Sequence, residues 1–111
     1  VNSKLISAIS LCRKAGKLKM GFDVVKEEVK YGNADVVLLC SDLSERSQQQ
    51  MQYICQENQV PVARLPVTME ELWSVAGRKC GIFAVEDRGF CKMICSLCSP
   101  EDNPQDSKMK K

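Results

Sequence analysis

The chain has 111 residues, 44% hydrophobic and 27% charged, with a formal net charge of +2. That length builds one domain with its own core, without help from metals or crosslinks, and no apolar run is long enough to cross a membrane. The absence of histidine removes the commonest general base and the Ser/His and Cys/His couples, and no Gly-rich phosphate loop or metal-ligand cluster replaces them, so the residues argue against an enzyme and call for no cofactor.

Seven cysteines form an odd set with no signal-peptide pattern, which argues against a secreted disulfide scaffold and for a reducing cytoplasm. The charge is unevenly placed. Residues 1–32 hold seven Lys/Arg against three acids, a net of +4, while the remainder holds nine against eleven, a net of −2. This basic end permits nucleic acid as a partner without reaching the density of a dedicated DNA-binding domain.

In chain order, Asn2 or Ser3 can cap a first helix in which Leu5, Ile6, Ile9, Cys12 and Ala15 follow the helical period, ending at Gly16. A short strand follows, with Lys17 and Lys19 on one side and Leu18 and Met20 entering the core. Gly21 then opens a helix whose stripe is Phe22, Val25 and Val29, with Asp23, Lys26, Glu27 and Lys30 on the wet side. Ala34 to Cys40 is an almost unbroken apolar run, the pattern of a strand buried on both faces and central in its sheet.

Ser44 to Asn58 reads as a polar helix with Met51, Ile54 and Cys55 inward, and Val60 to Leu65 as a strand with Pro61 at its opening. Thr68 and Glu71 form a capping box before a helix through Leu72, Trp73, Val75 and Ala76 that stops at Gly77. Gly81 to Glu86 is a last strand, and Asp87 caps a final helix carrying Phe90, Cys91, Ile94, Cys95 and Cys98. From Ser99 almost nothing remains to bury, so residues 1–98 read as one domain and 99–111 as a disordered polar tail. The alternation predicts an α/β fold, a three-layer α/β/α sandwich around a four-stranded mixed sheet with helices on both faces, its first strand short and near an edge.

The stretch from Gly16 to Gly32 is the candidate working surface. There the first N–H groups of a helix, lacking intrahelical partners and carrying the positive end of the macrodipole, stand just after Lys17 and Lys19. Such a junction suits a phosphate or a base edge.

The Ala-Gly-Lys-Leu-Lys-Met-Gly run at 15–21, the Leu-Leu-Cys-Ser-Asp run at 38–42, Val60-Pro61-Val62, Glu71-Leu72 and Ala76-Gly77 together resemble the kink-turn-binding ribosomal proteins. This group is written L-seven-Ae, lies in a superfamily with L-thirty-e and Gadd-forty-five, and includes small bacterial paralogues of the YlxQ type. The likeness extends over residues 3–97. It implies a cytoplasmic, ribonucleoprotein-forming RNA-binding protein of α/β/α fold that recognises sharply bent RNA at tandem sheared G·A pairs. Its partners would be structured RNA, ribosomal or otherwise kink-turn-like, and the ribosome itself, with neither DNA nor membrane among them.

On this resemblance the RNA-binding residues are Lys17, Lys19 and Gly21, then Phe22, Asp23, Val24 and Lys26 at the helix start, with Arg78 and Lys79 from the loop that approaches RNA beside it. The sequence departs from tight binders where Phe22-Asp23-Val24 replaces Thr-Asn-Glu or Thr-Lys-Gln and Glu27 replaces a lysine. Asp23 accepts hydrogen bonds but donates none, and Val24 does neither. The alternative is a protein-interaction module on the same fold that has lost kink-turn specificity.

Two further patterns compete. Cys91-x-x-x-Cys95-x-x-Cys98 has the spacing of the cluster cysteines of radical S-adenosylmethionine enzymes, yet on a helix these three share one face beside Phe90 and Ile94, where core residues sit. Asp42, at the end of a buried strand, has the position of a receiver-domain phosphoacceptor, but no acidic pair stands near the first strand to bind magnesium.

Overall fold

The computed structural model describes residues 3–98; the segment 99–111, read above as a disordered tail, and the alternative cap Asn2 lie outside the described residues. Within them the chain runs α1 (Ser3–Lys14), β1 (Leu18–Met20), α2 (Phe22–Lys30), β2 (Val36–Leu39), α3 (Glu45–Glu57), β3 (Val62–Arg64), α4 (Trp73–Ala76), β4 (Ile82–Val85) and α5 (Arg88–Cys98). The sheet order is β1-β4-β2-β3, so the apolar run through β2 is an inner strand and the short β1 lies at an edge, as the sequence predicts.

β1 pairs antiparallel with β4 (Leu18 opposite Val85, Met20 opposite Phe83), β4 pairs antiparallel with β2 (Ala84 opposite Val37), and β2 pairs parallel with β3 (Leu38 opposite Ala63). The one parallel pair needs a crossover connection, and α3 supplies it. β3 is the other edge, where Pro61 costs no ladder bond; its carbonyl accepts from the Val37 N–H at 3.0 Å.

The two inner strands sort their side chains by parity. Val36 and Leu38 of β2 with Phe83 and Val85 of β4 enter one cluster, together with Leu5, Ile9 and Cys12 of α1, Val75 of α4 and Ile94 of α5. Val37, Leu39, Ile82 and Ala84 enter the other, with Val25 and Val29 of α2 and Met51 and Cys55 of α3. Alternation along a strand therefore produces the three layers, with α1, α4 and α5 on one side of the sheet and α2 and α3 on the other. Phe83 is fully buried among the inner strands, and truncating it to alanine should cost about 3–5 kcal/mol.

Helix ends follow local chemistry. α1 ends at Gly16 (φ 75°), and the Lys17 N–H reaches back to the Cys12 carbonyl at 3.0 Å, which turns the chain directly into β1. Ser44 caps α3, its Oγ accepting from the Ser47 N–H at 3.3 Å. The Thr68–Glu71 box also forms: the Thr68 N–H donates to Glu71 Oε1 at 2.8 Å and the Glu71 N–H to Thr68 Oγ1 at 3.2 Å.

That box closes a separate turn, however, and the helix proper covers only Trp73–Ala76. The turn is anchored by Asp42, whose Oδ1 accepts from the Met69 N–H at 3.0 Å and ties it to the end of β2. The strands are likewise shorter than the apolar runs that predict them: Ala34 and Cys40 are buried yet lie outside β2.

Candidate nucleic-acid interface

β1 enters the junction with Leu18 and Met20 turned to the α1 side and Lys19 to the other, opposite Ala84. Gly21 then donates its N–H to the Ile82 carbonyl at 3.1 Å, pinning the β1 end to the start of β4, and its own carbonyl accepts from the Val25 N–H at 2.9 Å to begin α2. It does so at φ 101° and ψ 147°, a region reserved for glycine, and no side chain caps the helix start. The first N–H groups of α2 are therefore presented without a competing side-chain acceptor at Gly21.

The loop from Gly77 to Gly81 comes beside this point. A Cβ built on Gly21 would lie 3.4 Å from Arg78 Nη2, so the guanidinium stands directly against the helix start. Lys79 takes another direction and lines a recess with Asp42, Glu70 and Trp73. The adjacent bases Arg78 and Lys79, paired in the sequence, are thus separated in space into a helix-start cation and a recess cation.

The remaining site residues spread over three environments. Lys17 is exposed on the approach to β1. Asp23 and Val24 are exposed in the first turn of α2, and together with Glu27 and Glu28 they line a shallow acidic hollow. Phe22 and Lys26 are half-buried and turn toward α3, lining a cleft with Gln50, Tyr53 and Ile54.

Lys19 is half-buried among acids. It lies close enough to Glu28 of α2 and Glu86, just past β4, to hold both carboxyls down. Burial dominates at Glu86 and pushes it up to about 7, helped by its hydrogen bond with Glu28 and by Asp35. Glu28 moves the opposite way, its carboxyl lowered chiefly by that same hydrogen bond. Below about 7 the pair therefore shares one proton, carried on Glu86, and Lys19 is the cation that accompanies it.

Trp73, on the fourth helix as the sequence predicts, is a candidate that the sequence reading assigns no role. Leu72, Val75 and Ala76 at i, i+3 and i+4 already fill the buried face, and Trp73 falls off that stripe with 52% of its surface exposed beside Lys79. The signal was present in the spacing. An indole beside an ammonium is the pairing that stacks an unpaired base while holding its phosphate.

The rival patterns acquire structural uses. Cys91, Cys95 and Cys98 are half-buried on α5 against the α1-side core, and burial pushes Cys95 up to about 12 and Cys98 up to about 11. Thiols held protonated by desolvation are poor metal ligands. Among the described residues no group of three or more Cys, Asp or Glu is placed to hold a metal ion. Asp42 spends its carboxylate on the Met69 N–H.

Residues 3–95 match the profile of the ribosomal protein L7Ae/L30e/S12e/Gadd45 family. The RNA-binding protein YlxQ of Bacillus subtilis (strain 168) is 30% identical over 94 residues, covering 80% of this chain and 89% of its own. Among solved structures, a protein of unknown function from Bacillus halodurans superposes with a TM-score of 0.78 at 25% identity, over 86% of this chain and 97% of that one. The Giardia lamblia 15.5kD RNA binding protein superposes with a TM-score of 0.70 at 12% identity, over 89% and 85%. At that identity the second likeness speaks for the fold alone.

Proposed function

The chain belongs to the ribosomal protein L7Ae/L30e/S12e/Gadd45 family, and from that premise we propose that it binds structured, kink-turn-like RNA at the start of α2. The observation that carries this reading is the uncapped helix start at Gly21 with the Arg78 guanidinium against it. Backbone donors, the macrodipole and a planar cation then converge on one point, which fits a phosphate at the apex of a bent strand. Lys17 adds a solvated cation on the same approach, and Trp73 with Lys79 offers a stacking place for a base displaced from the bend. Neither the fold nor the site calls for a catalytic group or a cofactor. Seven unpaired thiols fit work in the cytoplasm, on ribosomal RNA or another bent RNA.

The acidic hollow of Asp23, Val24, Glu27 and Glu28 favours a second reading, a protein-binding module, because acidic side chains around an exposed valine repel phosphate. The two separate in one titration. Fluorescence anisotropy of the full chain with a kink-turn RNA and with a straight duplex of equal length should show preference for the bend. Arg78→Ala should weaken that binding and Lys17→Ala should lower the salt slope by about one charge. The pair Val24→Glu with Glu27→Lys, both exposed, should raise affinity for the kink-turn and leave the duplex unchanged. If the wild type and the double variant both bind bend and duplex alike, or bind neither, the kink-turn reading is overturned.

A further inference from the structure

A second surface lies on the opposite layer, between two of the three helices that cover the α1 side of the sheet. α1 and α5 pack side by side and leave an open groove of about 460 Å³ lined by Ser3, Lys4, Ser7, Leu11, Met93 and Leu97, among others. Its floor is aliphatic: Leu11 is 54% exposed and Met93 41%, although the buried faces of both helices already fill the core. Exposed large apolar residues paired across a groove mark a contact surface more often than isolated ones do.

Within the described residues of the two helices that wall the groove, the charge has one sign. Neither α1 nor α5 contains an acidic residue, while Lys4, Lys14, Arg88 and Lys92 are all exposed. Lys14 stands one turn from Leu11, and Lys92 one turn from the groove-lining Ser96, so cations border the apolar floor along both helices. Arg13 is not part of this rim, since its guanidinium donates to the Val75 carbonyl and ties α1 to α4.

From this arrangement we infer that the α1–α5 groove docks an acidic amphipathic helix of a partner protein. An apolar stripe with spacing i, i+3, i+4 and i+7 would lie on Leu11, Met93 and Leu97, and carboxylates on its flanks would meet Lys4, Lys14 and Lys92. The flexible methionine lets the floor adjust to the incoming side chains. RNA is the poorer occupant, because the lining contains no aromatic ring for a base to stack on, and phosphates gain nothing from an aliphatic floor. The groove uses none of the residues of the α2 start, so a partner seated there leaves the proposed RNA site uncovered and serves as a tether.

The test uses two fluorescein-labelled helical peptides that share one leucine stripe and differ only in flanks, glutamate in one and lysine in the other. The full chain should bind the glutamate peptide saturably and the lysine peptide weakly or not at all. Leu11→Asp and Met93→Asp should each weaken the glutamate peptide by about tenfold or more. Should either fail to fold by thermal melting, Lys4→Glu with Lys92→Glu supplies an independent arm, and it should exchange the preference between the two peptides.

Equal binding of both peptides, binding indifferent to all these variants, or no binding overturns the inference. So does sedimentation as a dimer that Leu11→Asp disperses, which would make a second copy the occupant. Loss of kink-turn RNA binding in the groove variants, with the peptide ignored by the wild type, would assign the face to RNA and equally end the inference.

Discussion

α2 and α5 are both amphipathic and bury their apolar stripes against the same sheet from opposite sides, yet they treat their first N–H groups in opposite ways. α5 opens behind Asp87, whose Oδ2 accepts from the Phe90 N–H at 2.9 Å, so its positive end is satisfied from within the chain. α2 opens behind Gly21, which has no side chain to offer, and the charged group that stands against that glycine is a cation, Arg78. α2 does carry an acid in its first turn, the exposed Asp23, but the residue before the helix offers no cap and a guanidinium stands against it, an arrangement that suits an anion supplied from outside.

The comparison breaks most sharply if α2 is given what α5 already has. Gly21→Asp sets a carboxylate at the open helix start, and Gly21→Ala introduces the same backbone strain without the charge. Each should lower stability by about 1–3 kcal/mol, because φ 101° is costly for any side chain. RNA affinity should separate them, the aspartate variant losing about 2 kcal/mol more than the alanine variant. Asp87→Ala is the mirror experiment: it should cost about 1 kcal/mol of stability in a urea melt and leave RNA affinity untouched. Equal RNA affinity for the aspartate and alanine variants would remove the helix start from the interface.

Trp73 sharpens the contrast from the neighbouring loop. Trp73→Ala should reduce affinity for a kink-turn carrying an extruded base by about 1–3 kcal/mol and leave stability nearly unchanged, since the side chain is half exposed and Leu72, Val75 and Ala76 hold the helix down. Trp73→Phe should retain most of the affinity. A substantial fall in melting temperature for the alanine variant would instead place the indole in the packing.

Much of the architecture was legible because it rests on period alone. The unbroken run through Val36, Val37, Leu38 and Leu39 predicts an inner strand, and both neighbouring clusters indeed draw on it. Gly16 and Asp87 act as the residue types predict, one ending α1 and the other capping α5. What the pattern could not supply was direction in three dimensions. Arg78 and Lys79 read as one basic pair, but a tight turn sends them to different neighbours.

Lys17 and Lys19 read as equivalents, and the alternation that puts them on one side says nothing of Glu28 and Glu86, which come from elements far along the chain. The pattern at Thr68 predicts the first turn of a helix. A bond from the Met69 N–H to Asp42, 27 residues earlier, instead ties that turn to the end of β2.

The last and smallest effect concerns that hidden neighbourhood of Lys19. Glu86 carries a folded-state value of about 7 against an ordinary 4.5, mainly through burial, with the Glu28 hydrogen bond and the Glu28 and Asp35 charges adding to it. Between those two values the folded chain holds a proton that the unfolded chain has released, so stability falls as pH rises. This contribution is fully present below the ordinary carboxyl value and lost on passing through 7.

Melting temperatures measured from pH 5 to pH 8 should therefore decline more for the wild type than for Glu86→Gln, which has no proton to lose there. Lys19→Ala removes the cation that holds Glu86 down, so the decline should shift to higher pH. In the same variant the salt slope of RNA binding should change less than in Lys17→Ala, because the charge removed was already matched by the two carboxyls. A Lys19→Ala protein with an unaltered pH profile and a salt slope reduced as far as by Lys17→Ala would return Lys19 to the RNA face beside its neighbour.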